Sequence, residues 1–154
     1  MSIQIKKSHS YDETANKELN KENTLIDIAM HINDVQKGCA FIANKIIEAG
    51  INHDCTKIPT IDEFMEEFNS GIDLRTGKWY PAHINNERHH FYSLDKCPDD
   101  VNLIDVIEAL VDCTMAARAR IGSMTNISIS PELLAKAFKN TVEMLDNEII
   151  FEND

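Results

Sequence analysis

An all-α fold is predicted by three observations. Apolar residues recur at helical spacing, most clearly Leu25, Ile28, Ile32 and Val35, followed by Phe41, Ile42, Ile46 and Ile47. Cap and stop residues bracket such runs: Asn23 or Thr24 before the first, Gly50 after it, Gly122 and the Ser130–Pro131 pair further on. No segment reads as a core strand. The expectation is a single compact helical bundle over residues 23–150, preceded by a polar arm at 1–22 with room for a short strand at Ile3–Ile5.

Taken in order, the first helix runs from Asn23 or Thr24 to about Ala49. A short helical turn carries His53 to Lys57 and is ended by Pro59. Thr60 caps a second helix with Glu63 in its first turn, extending to about Phe68. Residues 69–100 are broken by Gly71, Gly77, Pro81 and Pro98, and a loop this long in a compact domain is often functional. A strongly apolar helix follows at about Asp99–Ile121, opened by Asp99 and Asp100. The last helix has Ser130 as cap and Pro131 as first residue, and reaches about Ile149. Its apolar positions Leu133, Leu134, Ala137, Phe138, Val142 and Leu145 could serve a homodimer as easily as the core.

The chain has 154 residues, 43% of them hydrophobic, enough for one buried core. It contains no apolar run of transmembrane length, and its N-terminus lacks the apolar centre of a signal peptide. A cytoplasmic location without membrane association is therefore expected. Cys39, Cys55, Cys97 and Cys113 form no C-x-x-C pair and read as buried thiols, Cys55 also being placed to sense oxidation. The formal net charge of −11 argues against general nucleic-acid binding. It leaves small phosphorylated ligands open, because a few cations and a bound metal can reverse the field inside a cleft.

Five of the six histidines fall into three groups: His31, then His53, then His83, His89 and His90. Imidazole is the commonest metal ligand among side chains, and carboxylates complete such sites. His31 lies between Ile28 and Ile32, facing or bordering the core, with Asp27 one turn earlier. Taken alone, it reads as a satisfied core histidine before a metal ligand. Asp105, Glu108 and Asp112 share one face of a very apolar helix. They are either a solvated stripe or, if buried, carboxylates that need a cation; Asp112 is the leading ligand candidate, followed by Glu108 and then Asp105.

The order His31, His53–Asp54, His83 with His89–His90, then Asp112 in an all-α chain resembles the HD-domain superfamily of metal-dependent phosphohydrolases. HDCTK is similar to the HD-x-x-K of the cyclic-di-GMP phosphodiesterase branch, although the GYP tripeptide is absent. A nearer likeness is to short bacterial and phage proteins related to HD domains. These share an early helical histidine, HD-x-[ST]-K, an H…HH segment (here HINNERHH) and an E-x-x-x-D helix (here Glu108 to Asp112).

The resemblance implies a bacterial cell or phage-infected host and a centre of one or two divalent transition-metal ions, Mn, Fe, Co or Ni. His31, His53, Asp54 and Asp112 would hold the first ion. Some of His83, His89 and His90 would bind a second, with Asp27 or Glu108 as an extra ligand and Asp54 bridging when two ions are present. The reaction implied is attack of a metal-activated water on a nucleotide or cyclic (di)nucleotide phosphate ester. Asp54 and Lys57 would be the catalytic residues, Lys57 stabilising phosphate charge, or else standing as an exposed lysine at a helix end. Arg75, Lys78 and Arg88 are candidates to grip further phosphates or are solvated side chains. Trp79 and Tyr80 would stack on a base or serve as a packing anchor.

Two other readings remain open. An all-α nucleoside triphosphate pyrophosphatase of the MazG type would hold Mg²⁺ on Glu63, Glu66, Glu67, Glu108 and Asp112, leaving the histidines unexplained. A non-catalytic protein would bind a nucleotide or a protein around a structural metal.

Overall fold

The computed structural model describes residues 2–6, 21–91, 97–124 and 127–152. Helix takes up 68% of the described residues, which makes the protein all-α as expected. Residues 7–20 of the polar arm, including His9, lie outside the described part. The chain divides into two compact units, one formed by Met1–Lys45 with Val142–Asp154 and the other by Ile46–Thr141.

In the first unit, strand β1 (Ile3–Lys6) pairs in parallel with strand β2 (Ile149–Glu152), Ile3 standing opposite Ile149 and Lys6 opposite Glu152. Ile3 N donates to Glu148 O at 2.7 Å, and Lys37 Nζ donates to Gln4 O at 2.6 Å. A strand at Ile3–Ile5 matches expectation; β2 does not, because the sequence pattern carries the last helix on to about Ile149. That helix closes at Asp146, where Glu148 N donates to Leu145 O, and the β-branched and aromatic residues beyond extend.

Helix α1 (Lys21–Asn52) supplies most of the rest of this unit. Asn23 and Thr24 lie within its first turn rather than capping it, and it runs through Gly50. Phe41 and Asp27 are buried, whereas Leu25, Ile28, Ile32, Val35 and His31 are exposed. The expectation that His31 borders the core is therefore corrected: the spacing identifies the helix but not its covered side.

The second unit holds the end of α1, then α2 (Ile61–Ser70), α3 (Trp79–Asn86), a 3-10 turn at Arg88–His90, α4 (Leu103–Ile121) and α5 (Pro131–Asp146) as far as Thr141. Its core gathers Phe91, Val101, Ala109, Leu133 and Ala137. Of the apolar positions on α5, Leu133 and Ala137 face this core, and Leu134 and Phe138 are exposed. Ser130 caps α5 as expected, its hydroxyl accepting from Leu133 N at 3.1 Å.

Helix α4 starts at Leu103, four residues later than the Asp99 expected. Its cap is Asn102, whose side chain accepts from Ile104 N (2.9 Å) while the Asp105 carboxylate accepts from Asn102 N (2.9 Å). Asp99 and Asp100 precede it in an exposed turn tied down by α5. Asn140 Nδ2 donates to Asp99 O (2.9 Å) and Val101 O (2.7 Å), and Thr141 Oγ1 accepts from Leu103 N (2.8 Å). These bonds fix where α4 begins, and hence where Glu108 and Asp112 stand.

Among the described residues the cysteines form no disulfide, but the expected burial is corrected: Cys39 and Cys55 are exposed, and Cys97 and Cys113 are half-buried. Among the described residues, no helix is long and apolar enough to cross a membrane.

Candidate metal centre

The HDCTK segment folds back on itself directly after α1. Cys55 N donates to Asn52 O (3.1 Å) and Lys57 N to Asp54 O (2.9 Å). Asp54 takes a left-handed backbone, φ 53°, which ends the helix in place of the glycine stop read from the sequence. Left-handed geometry costs most residues roughly 1–2 kcal/mol, and Asp tolerates it through local hydrogen bonding. The turn brings His53 Nε2 within 3.3 Å of Asp54 Oδ2. Further along, Thr60 Oγ1 donates to Thr56 O (2.7 Å) and accepts from Trp79 Nε1 (2.8 Å), which ties the segment to α3.

Helix α3 lies inside the stretch read as loop. Pro81 falls in its first turn, where a proline needs no amide partner. The Glu67 carboxylate of α2 accepts from Lys78 N (2.5 Å) and Trp79 N (3.0 Å), satisfying amides that the helix start leaves open. Gly77 leaves room for it, since a Cβ there would run into that carboxylate. One turn on, the Trp79 ring stacks on His83 at 5.3 Å and 10°, holding a buried histidine in place.

Two groups of side chains that could hold a metal ion result: His53, His89 and Asp112, and Asp54, His83 and His90. Asp54 also adjoins the first group, as its distance to His53 shows. His53 Nε2 is 3.4 Å from Asp112 Oδ1, His83 Nε2 is 3.3 Å from Asp54 Oδ1, and His83 Nε2 is 3.1 Å from His90 Nε2. His89 Nε2 stands a little further from Asp54 Oδ1, at 3.7 Å. Ligands held at about 2.0–2.1 Å from one cation are themselves about 2.9–3.4 Å apart at neighbouring vertices. Most of these spacings match.

The remaining ring nitrogens are held by partners that orient them. Glu108 Oε1 accepts from His53 Nδ1 at 2.9 Å, so the neutral ring turns its Nε2 lone pair toward Asp54 and Asp112. On the other side, Thr56 Oγ1 donates to Glu87 Oε1 (2.6 Å) and accepts from His83 Nδ1 (3.1 Å), which presents His83 Nε2 to Asp54. Carboxylate support of this kind fixes the tautomer of metal-binding histidines. Glu108 Oε1 also lies 3.0 Å from His89 Nδ1, though off the direction of a hydrogen bond.

Among the described residues, three buried polar atoms have no hydrogen-bond partner: Asp54 Oδ1 and both ring nitrogens of His89. Such atoms carry a desolvation cost of about 1–3 kcal/mol each unless something pairs with them. A divalent cation fits the donor set, since it would take up the converging lone pairs of His53, His89, Asp54 and Asp112 together.

The electrostatics agree. Burial pulls the His53 imidazolium down, but the hydrogen bond to Glu108 and the charges of Asp54 and Asp112 outweigh it and raise its pKa. Asp54 is lowered despite burial because Lys57 Nζ donates to its Oδ2 and adds a positive charge. Burial, then the charge on Lys57, lowers His83. Burial, then His89 and His83, holds His90 down to about 4, which keeps its ring neutral and ready to bind a metal at pH 7.

Other sequence candidates fall elsewhere. His31 and Asp27 lie on α1 in the first unit and belong to neither group. Asp105 is the capping acid of α4 and receives both Arg88 Nε and Nη2 at 2.8 Å, with Nη1 on Asp100 at 3.1 Å. Arg88 is thus occupied in bracing α4 instead of reaching for phosphate. Arg75 and Lys78 are exposed and do not line the cleft beside the centre. That cleft, about 440 Å³, is lined by Lys57, Trp79, Tyr80, His83, His90 and Asp112 among others. A larger cavity of about 500 Å³ in the first unit, against Lys37 and Phe41, is lined by no histidine among the described residues.

Sequence reasoning missed Glu87 as the anchor of Thr56. It stands in plain view in HINNERHH, but one acid in an irregular stretch has no periodic signature. Thr56, the hydroxyl position of HD-x-[ST]-K, offers a better clue.

Fold and site together define an all-α protein with paired histidine–carboxylate groups able to hold metal ions. No protein-family model, curated protein or solved structure matches the chain.

Proposed function

We propose that the protein is a metal-dependent phosphohydrolase acting on a phosphate ester of a nucleotide or cyclic (di)nucleotide. The observation that carries this reading is Asp54, which stands between two candidate ligand groups with Oδ1 buried and without a hydrogen-bond partner among the described residues. His53, His89 and Asp112 would hold one ion, and Asp54, His83 and His90 the other. The mixed nitrogen–oxygen set suits Mn²⁺, Fe, Co²⁺ or Ni²⁺ better than Ca²⁺. When bound, such ions polarise a phosphoryl group and make a water acidic enough to attack it.

The protein's own residues do the rest. Glu108, and Glu87 through Thr56, hold the rings of His53 and His83 in the ligating tautomer. Lys57, on Asp54 and lining the cleft, supplies positive charge where a phosphate oxygen would sit. A chain of net charge −11 needs such a local reversal to admit an anionic substrate. The Mg²⁺ pyrophosphatase reading is less well supported, because Glu67 is engaged at the start of α3 and Glu63 and Glu66 are exposed.

The test is metal analysis of the wild type beside His53→Ala and Asp54→Ala, followed by a nucleotide and phosphodiester screen with Mn²⁺. One or two transition ions per chain, lost in the variants, and turnover in the screen are expected. A wild type that stays empty after supplementation with Mn²⁺ and Fe²⁺ refutes the proposal. Metal without turnover would leave a structural clamp in a binding protein.

A further inference from the structure

Helix α4 ends with two cations in its last turn, Arg118 and Arg120. Arg118 serves the helix itself, since its Nη1 donates to Gly122 O at 3.1 Å and helps close the last turn. Arg120 makes no hydrogen bond or ion pair among the described residues, and instead lines the cleft that takes in Lys57, His83, His90 and Asp112. Asp112, Ala116 and Arg120 follow one another at four-residue steps along one ridge of α4. Eight residues at about 1.5 Å each put the Arg120 backbone about 12 Å beyond Asp112 along the helix. Helical side chains lean back toward the N-terminus, and Arg120, Ala116 and Asp112 line the same cleft as Lys57, His83 and His90.

The charge pattern narrows what this arginine meets. Lys57 is already the cation at Asp54, where a reacting phosphate would lie. Arg88 is committed to Asp100 and Asp105. An unpaired guanidinium entering the cleft from further along α4 is therefore a receptor for a second anionic group, and its planar fork suits phosphate.

We infer that Arg120 is a phosphate-binding specificity residue, and that the cleft takes a nucleotide with at least two linked phosphates, one at the metal centre beside Lys57 and the next on Arg120. This rests on the phosphohydrolase reading above and names its substrate class. A nucleoside diphosphate gains the Arg120 contact; a monophosphate does not.

Trp79 is the only tryptophan and lines the cleft, so its fluorescence reports occupancy. Wild type, Arg120→Ala and Arg120→Lys are titrated with AMP and with ADP, with Mn²⁺ in constant excess. The wild type should bind ADP about tenfold more tightly than AMP, a difference of about 1.4 kcal/mol. Arg120→Ala should lose that preference by weakening ADP about tenfold while AMP stays within twofold. Arg120→Lys should recover part of it, a point charge replacing a fork. Ala116→Leu, which fills the cleft without altering charge, should weaken both nucleotides. If metal and both nucleotides bind but the wild type does not discriminate, or Arg120→Ala keeps the preference, the inference falls and the phosphohydrolase reading stands. If the protein carries its metal and binds neither nucleotide, the inference falls; if it binds no metal, the phosphohydrolase reading falls and takes the inference with it.

Discussion

Replacing Thr56 by valine keeps the shape of the side chain and removes the hydroxyl that joins Glu87 to His83. The bond lost to Glu87, 2.6 Å long, is charge-assisted and worth about 1.5–3 kcal/mol, and the acceptor lost to His83 Nδ1 adds about 1 kcal/mol. Glu87 keeps the Thr56 amide at 3.2 Å, so its carboxylate is not stranded. A net loss of about 2–4 kcal/mol follows, which a domain stable by a typical 5–15 kcal/mol survives. Outer partners of metal-binding histidines are typically worth 10–100-fold in metal affinity. Calorimetric titration with Mn²⁺ should therefore show the His83 group weakened by about that factor, and the His53–His89–Asp112 group unchanged within a few fold. Thr56→Ser keeps the hydroxyl and loses one methyl, costing about 0.8 kcal/mol in a urea melt and little metal affinity. Wild-type metal binding in Thr56→Val, or equal impairment in Thr56→Ser, would refute the relay.

Asp105→Ala removes a helix cap worth about 1 kcal/mol and breaks the ion pair with Arg88, for a loss of about 2–4 kcal/mol. The urea midpoint should fall while metal content holds; a folded variant that loses metal would instead identify Asp105 as a ligand. In the metal-free protein, His90, His83 and Asp54 are all held below their ordinary values, so each binds fewer protons folded than unfolded. Their contribution is present above the unfolded pKa and lost as pH falls, for His90 between 6.5 and about 4. His53, raised, works in the opposite sense. Tm should drop as pH is lowered through that window, and His90→Gln should flatten the drop; a Tm profile identical to wild type would contradict the neutral His90.

Much of the fold was legible because helices announce themselves locally. The heptad-like spacing in α1 and the Ser130–Pro131 start of α5 are properties of neighbouring residues. The boundaries that failed were decided elsewhere. Asp99 and Asn102 are both good caps, and it is α5, through Asn140 and Thr141, that ties down the segment before Leu103. Ile149–Phe151 is an apolar run too short to betray its period, and β1 at the far end of the chain makes it a strand.

In the site, the sequence could propose His53, Asp54, His83, His89, His90 and Asp112, since residue type alone marks metal donors. It could not separate roles among acids on one helix. Asp105, Glu108 and Asp112 share a face, yet one caps, one orients a histidine and one sits among the candidate ligands. Arg88 illustrates the same limit, because its pairing with Asp105 spans 17 residues and forms only when the chain is folded.

The left-handed backbone at Asp54 gears the pitch of α1 to the aim of two ligand groups. Each added helical residue turns the chain by about 100°, and Asp54 is the joint where that rotation is passed to His53 on one side and Thr56 and Lys57 on the other. A one-residue insertion or deletion in the last turn of α1 would swing the doublet off both groups together. Length variation in this protein should be tolerated far less at Asn52–Asp54 than in the exposed turn at Asp73–Thr76, where no ligand rides on the phase of a helix.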